Sequence, residues 1–136
     1  PTRRSSDLTD AGYDWDSYVK YGRQRFLTAP LMKWMFGKYV SDPAQRGNDL
    51  MSPVRASAER LRGLPATLIV VAENDILRDE GEAMGRRLDE AGVEVTTVRF
   101  NGVVHDWGML NGFAALHPTR TLIRLVGSVL RDYLEK

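Results

Sequence analysis

Thr67-Leu68-Ile69-Val70-Val71-Ala72-Glu73-Asn74-Asp75-Ile76-Leu77-Arg78-Asp79-Glu80-Gly81-Glu82 is the stretch whose reading decides the fold. Its opening run is apolar and rich in β-branched residues, the pattern of a strand buried on both faces. The polar turn Glu73-Asn74-Asp75 breaks the run, and a helix restarts behind it. Asp79 is the expected N-cap, with Glu82 three residues later completing a capping box. A strand that enters a helix through a short acidic turn carries Asp75 at its carboxyl end. That rim is where open α/β sheets keep their chemistry.

Working outward, the helix spans Glu80 to Ala91 and Gly92 ends it. A second β-branched run, Glu94 to Phe100, predicts another strand. It leads through Asn101-Gly102 into Val103-Val104-His105-Asp106-Trp107-Gly108. Strands joined by a right-handed helical crossover are parallel and end on the same rim, so Asp75 and His105 are expected to meet there. A carboxylate that orients an imidazole is two-thirds of a nucleophile–His–Asp triad. Taken singly, an aspartate after a strand is more often a turn former, and a loop histidine more often a packing residue. Their joint placement at neighbouring strand ends favours chemistry. His117, followed by Pro118, has no such setting and reads as structural. Two histidines without a clustered third ligand make a poor metal site.

The segment Asn74-Asp75-Ile76-Leu77-Arg78-Asp79-Glu80-Gly81-Glu82 resembles the D-x-L-R-D-E-G-E motif of the hormone-sensitive-lipase-like esterases of the α/β-hydrolase fold. Gly102-Val103-Val104-His105-Asp106-Trp107 is similar to their G-x-x-H-G-F segment, Arg62-Gly63-Leu64-Pro65-Ala66 to their G-L-P-P lead-in, and Ser52-Pro53 to an upstream S-P pair. The likeness runs from about Thr9 onward in the family's order and spacing. It implies an α/β fold with a doubly wound, mostly parallel sheet and part of a helical cap. It also implies that Asp75 and His105 are the catalytic acid and base of a serine carboxylic-ester hydrolase acting on short-chain acyl esters. Ile76 replaces the usual proline, Asp106 a glycine and Trp107 a phenylalanine. The last two flank the base and bear on substrate preference.

One motif is missing. The family's nucleophile sits in a G-x-S-x-G elbow, preceded by a glycine-rich oxyanion loop. The serines at 5, 6, 17, 41, 52, 57 and 128 all lack that setting. Both missing elements precede the acid and the base in the family's chain order. The chain is therefore expected to be a carboxyl-terminal piece, partnered by the amino-terminal portion of the same protein and inactive alone.

The remaining sequence fits this frame. Residues 1–8, Pro-Thr-Arg-Arg-Ser-Ser-Asp-Leu, match one reading frame of a common sequencing adapter and are read as a non-native tail. Residues 9–40 carry large apolar side chains at roughly helical spacing, broken by Pro30, a pattern that usually means core packing. The family places cap helices here, and Phe26-Leu27-Thr28 fits its F-L-T segment, so Leu27 and Trp107 are candidate substrate contacts. Residues 41–136 hold the βαβα part of the core: a connecting loop with a short helix near 56–62, the two strands, and an amphipathic helix over 119–134. With 43% hydrophobic and 27% charged residues and a net charge of +1, the chain has a folded domain's composition and no electrostatic footprint for nucleic acid. No apolar run reaches membrane-spanning length. The absence of cysteine excludes thiol chemistry and disulfides. No cofactor or metal is implied; the expected ligand is a small ester, and a cytoplasmic location is the default expectation. A non-catalytic, receptor-like binding protein on the same fold is the alternative, and retention of both Asp75 and His105 argues against it. A response-regulator-like module would explain the strand–helix–strand unit but not the paired strand-end residues.

Overall fold

The apolar run beginning at Thr67 forms β1 (Thr67–Asn74), which pairs in parallel with β2 (Val95–Val104). The connection between them is α4 (Arg78–Glu90), so the three elements make the crossover unit that the sequence predicts. In this computed structural model, residues 9–23 and 25–135 are described; the tail assigned to residues 1–8 lies outside them. Before β1 come α1 (Asp16–Tyr21), α2 (Ala29–Tyr39), two 3₁₀ turns and the short α3 (Ala58–Leu61). Pro30 opens α2 rather than interrupting it. It lies in the first turn, where a missing N–H costs nothing, and Thr28 caps the helix by accepting from Leu31 N.

The helix α4 reaches the sheet through two glycines. A Cβ at Gly81 would lie 2.8 Å from Val71 Cγ1, and one at Gly85 would collide with the Thr97 side chain. Ala83, Met84, Leu88, Ala91 and Val93 pack with Val54, Ala56 and Leu61 into one apolar cluster, with Ile69 and Val95 of the sheet against it. A second cluster joins α1 and α2 to the turn after β1 through Tyr18, Tyr21, Leu27, Met32, Phe36, Ile76 and Leu77. Ile76, at the position where the resemblance expects proline, is fully buried, a gain of about 1.5–3 kcal/mol. Burial of β1 on both faces is only partly met. Val71 and Ala72 are buried, whereas Leu68 and Val70 are half-buried, and the outer edge of β1 has no strand partner among the described residues.

The expected capping box is not formed. The N-cap of α4 is Leu77, and Asp79 and Glu82 lie inside the helix with partners elsewhere. Asp79 accepts from Ser17 N at 2.8 Å and from Arg78 Nε at 2.7 Å, and Glu82 pairs with Arg99 of β2. Long-range partners thus outbid the local backbone for both carboxylates.

The chain divides after His105 into two units. Within the second, a 3₁₀ turn (Asn111–Phe113) precedes α5 (His117–Leu134), and Leu122, Leu125, Val126 and Val129 form a half-buried stripe along that helix.

Glu80, in the first turn of α4, is fully buried. Its Oε1 accepts from Thr9 N at 2.7 Å and Asp10 N at 3.0 Å, and Tyr18 Oη lies 3.4 Å from Oε2. Burial outweighs these donors and raises its pKa from 4.5 to about 8. The folded state therefore holds this proton between pH 4.5 and about 8, where the unfolded chain has released it. Stability is greatest below that window and falls as pH rises through it, by at most about 1.4 kcal/mol per unit. Urea unfolding of the folded segment from pH 5 to 8 is expected to show this decline. Glu80→Gln should flatten it, since the amide keeps an acceptor and does not titrate.

Candidate active site

Asp75 is the first residue beyond β1 and His105 the first beyond β2. Their side chains meet, with His105 Nδ1 2.9 Å from Asp75 Oδ2. Both are largely enclosed, at 13% and 10% side-chain exposure for histidine and aspartate. The second carboxylate oxygen, Oδ1, accepts from Leu77 N at 3.0 Å. Asp75 is thus a turn former and a histidine partner at once, using one oxygen for each. A carboxylate offers only acceptors, so Nδ1 is the protonated ring nitrogen and Nε2 the basic one.

The two residues come level because the strands do not stay in simple register. Thr67 faces Val95 and Ala72 faces Phe100, but Asn74 faces Val104. A step of two residues along β1 is therefore matched by four along β2, a bulge at Asn101-Gly102-Val103. Gly102 sits in this bulge at φ +74°, and its N–H donates to Glu73 Oε2 at 2.7 Å. From sequence, the second strand is expected to end at Phe100, Asn101-Gly102 carries no assigned structure, and Glu73 falls in the polar turn after the first strand. A Gly after Asn late in a strand was the available signal for a bulge.

The turn that carries Asp75 is held from the α1 side. Ser17 donates through its hydroxyl to the Ile76 carbonyl and through its N–H to Asp79. The Arg78 guanidinium donates to Tyr21 Oη at 3.0 Å and to the Glu73 carbonyl at 3.3 Å. Burial alone would raise Asp79, but Arg78 and the Ser17 N–H overcome it and hold this carboxyl below the ordinary range. Further out, Asp10 accepts a two-pronged pair from Arg55 at 2.7 and 2.8 Å and a bond from the Trp15 indole at 2.7 Å. Burial alone would raise its pKa, but these donors outweigh burial and hold the carboxyl below the ordinary range.

Leu27 is buried in the same apolar cluster as Ile76 and Leu77, the two residues that follow Asp75 in the sequence. Trp107 is buried in the turn after β2. Asp106 has φ +57°, so the residue standing in for the family's glycine occupies the left-handed region that glycine favours. His117 begins α5. The Ser17 hydroxyl and the Ser52 hydroxyl, which donates to the Arg46 carbonyl at 2.6 Å, are committed to backbone partners. Among the described residues no group of three or more His, Cys, Asp or Glu side chains is arranged to hold a metal.

The chain as a whole has known relatives. A family model described as alpha/beta hydrolase fold matches residues 5–109. The chain belongs to this α/β-hydrolase family, in its hormone-sensitive-lipase-like branch. An ethyl acetate hydrolase of Pseudomonas putida is 36% identical over 100 residues, covering 74% of this chain and 31% of that protein. An arylesterase of Saccharolobus solfataricus is 37% identical over 94 residues, covering 69% of this chain and 28% of its own. The crystal structure of a thermostable esterase from Pseudomonas putida ECU1011 superposes with a TM-score of 0.86 at 44% identity, over 88% of this chain and 38% of that one. The chain spans about a third of the length of the curated relatives it matches. As an α/β-hydrolase segment it contains a parallel portion of the doubly wound sheet, as the sequence predicts.

The left-handed Gly102 supplies a direct test of the bulge. A Cβ there would meet nothing within 4 Å, so crowding plays no part. Gly102→Ala is expected to cost about 1–2 kcal/mol through backbone conformation alone, measured by urea denaturation, while leaving helix content by circular dichroism unchanged.

Proposed function

We propose that this segment supplies the acid and the base of a serine carboxylic-ester hydrolase whose nucleophile and oxyanion donors belong to the amino-terminal portion of the same protein. The observation that carries the reading is the 2.9 Å bond from His105 Nδ1 to Asp75 Oδ2, made while Leu77 N–H holds the other carboxylate oxygen. Names of relatives, an ethyl acetate hydrolase and an arylesterase among them, support ester hydrolysis.

In this reading the serine hydroxyl attacks the ester carbonyl carbon while His105 Nε2 takes its proton. The tetrahedral intermediate collapses, the carbon–oxygen bond to the alcohol breaks, and His105 returns the proton to the departing oxygen. A water molecule then loses a proton to Nε2 and attacks the acyl-enzyme, and the serine recovers that proton as the acid leaves. Asp75 keeps Nδ1 protonated throughout and stabilises the imidazolium, which a ring free to rotate could not exploit. Short acyl esters are the proposed substrates. Leu27, packed beside Ile76 and Leu77, and Trp107, two residues after the base, are the proposed borders of the acyl site. Residues 9–40 are proposed to belong to the cap, and 41–136 to the core.

The complete protein should hydrolyse p-nitrophenyl acetate and butyrate, and this chain alone should not, because His105 would have no hydroxyl to activate. Hydrolysis by the monomeric segment alone would relocate the nucleophile. Asp75→Asn in the complete protein should lower kcat by up to about ten-thousandfold, as loss of the correct tautomer does in the best-studied triad. Near-normal turnover would remove Asp75 from the mechanism. Trp107→Phe should change the acetate-to-butyrate ratio of kcat/KM more than it changes Tm. A flat ratio with a lowered Tm would make the indole a packing residue only.

A further inference from the structure

We infer that Glu73 is a positioning residue, whose carboxylate pins the β2 bulge at Gly102 and so brings His105 level with Asp75. The argument rests on register. From Thr67↔Val95 to Ala72↔Phe100 each β1 residue faces the β2 residue numbered 28 higher. Continued without a bulge, that pairing would set Asp75 opposite Val103 and leave His105 beyond reach, opposite Leu77. At Asn74↔Val104 the offset has become 30, which is the separation of Asp75 and His105. The two extra residues of β2 are therefore what creates the pair.

Hydrophobic patterning does not enforce this offset. A slip of one residue would turn every side chain of β2 to the wrong face, but a slip of two keeps each on its own face. The bulged and unbulged registers thus satisfy the core alike, and another interaction must choose between them. Gly102 N–H is a natural candidate, because a bulge takes backbone groups out of the ladder. In the unbulged register Asn74 would lie opposite Gly102. In the observed one the Gly102 N–H instead donates to the Glu73 carboxylate at 2.7 Å, a charge-assisted bond between the neighbouring strands. Gly102 itself is exposed, so water could satisfy its N–H equally well. The bond therefore adds little to overall stability and acts on which register is populated. Glu73 is itself held from behind, since its carbonyl accepts from Arg78, and Arg78 is locked to Asp79 and Tyr21. The chain of contacts runs from α1 through Arg78 and Glu73 to the bulge and ends at the imidazole.

The kinetic part of the test rests on the hydrolase reading; the spectroscopic part does not. The complete protein, labelled with ¹⁵N-histidine, would be compared with Glu73→Val, Glu73→Gln and Glu73→Asp. His105 is assigned by its loss in His105→Asn, and His117 serves as internal control. Long-range ¹H–¹⁵N correlation reads which ring nitrogen of neutral His105 holds the proton. Glu73→Val should shift His105 away from the Nδ1–H form and lower kcat on the order of a hundredfold with KM changed by no more than about twofold, as for a misplaced catalytic group. Glu73→Gln keeps an acceptor oxygen at the same reach and should restore both signals. Glu73→Asp keeps the charge but withdraws it by one methylene, so it should behave like Val and serves if the Val variant does not fold. Retention of the Nδ1–H form in Val and Asp, with a fall in Tm alone, would overturn the proposal. A tautomer shift in a protein without esterase activity would uphold it while refuting the hydrolase reading.

Discussion

The parallel pairing of β1 with β2, and the point at which its register changes, is the constraint on which the rest of this structure depends. A parallel ladder cannot be closed by a tight turn, so α4 must cross between the strands. That crossover sets both carboxyl ends on one rim. It also demands close approach of helix to sheet, which Gly81 and Gly85 permit by presenting no side chain to Val71 and Thr97. Up to Ala72 and Phe100 the ladder serves packing alone. Beyond them regular pairing is given up, and the polar side chains that replace it decide where Asp75 and His105 lie.

Those polar side chains explain why the turn after β1 keeps its shape. A buried carboxylate is costly unless it is hydrogen-bonded or protonated, and Glu80 is both bonded and shifted towards protonation. Its backbone donors, Thr9 and Asp10, lie far from it in sequence, so burying Glu80 fastens the start of the described chain to α4. Asp10 then carries Arg55 and the Trp15 indole, and the following α1 places Ser17 against Ile76 and Asp79. The apolar cluster of Tyr18, Tyr21, Leu27, Ile76 and Leu77 fills the space beneath. Apolar packing brings these elements together; the directional bonds fix the angle at which Asp75 leaves the strand.

Much of this was legible in the sequence because it follows from local pattern. The β-branched run gave β1, the glycine at 92 marked the end of α4, and the strand after it led to His105. The i, i+3, i+4 spacing of Leu122, Leu125, Val126 and Val129 placed α5 within two residues of its observed start. What escaped was non-local. Asp79 and Glu82 have the spacing of a capping box, yet Ser17, Arg78 and Arg99 claim them, and only folding brings Ser17 and Arg99 near. Glu80 reads as an ordinary acid in a helix's first turn, and its burial depends on residues 9 and 10 folding back over it. The bulge was hidden for a different reason. Asn-Gly fits a turn as well as a bulge, and only the partner strand distinguishes them.

Asp75 shows why the bland and the chemical readings of a strand-end aspartate need not compete. Its two oxygens do separate work: the Leu77 N–H fixes one and so fixes the plane of the carboxylate, and the other is thereby aimed at His105. Asparagine could accept from only one of these groups through its oxygen, and its NH₂ would face a proton donor at the other. The turn bond would then favour an orientation that turns a donor towards Nδ1, forcing the imidazole into its other tautomer or out of contact. The same local bond that makes the residue a turn former therefore makes it selective for the carboxylate. That selectivity is confined to the acid; the position of the imidazole comes from the bulge in the neighbouring strand. Two strand ends, one set by a turn bond to its carboxylate and the other by a bulge, meet in a single 2.9 Å contact.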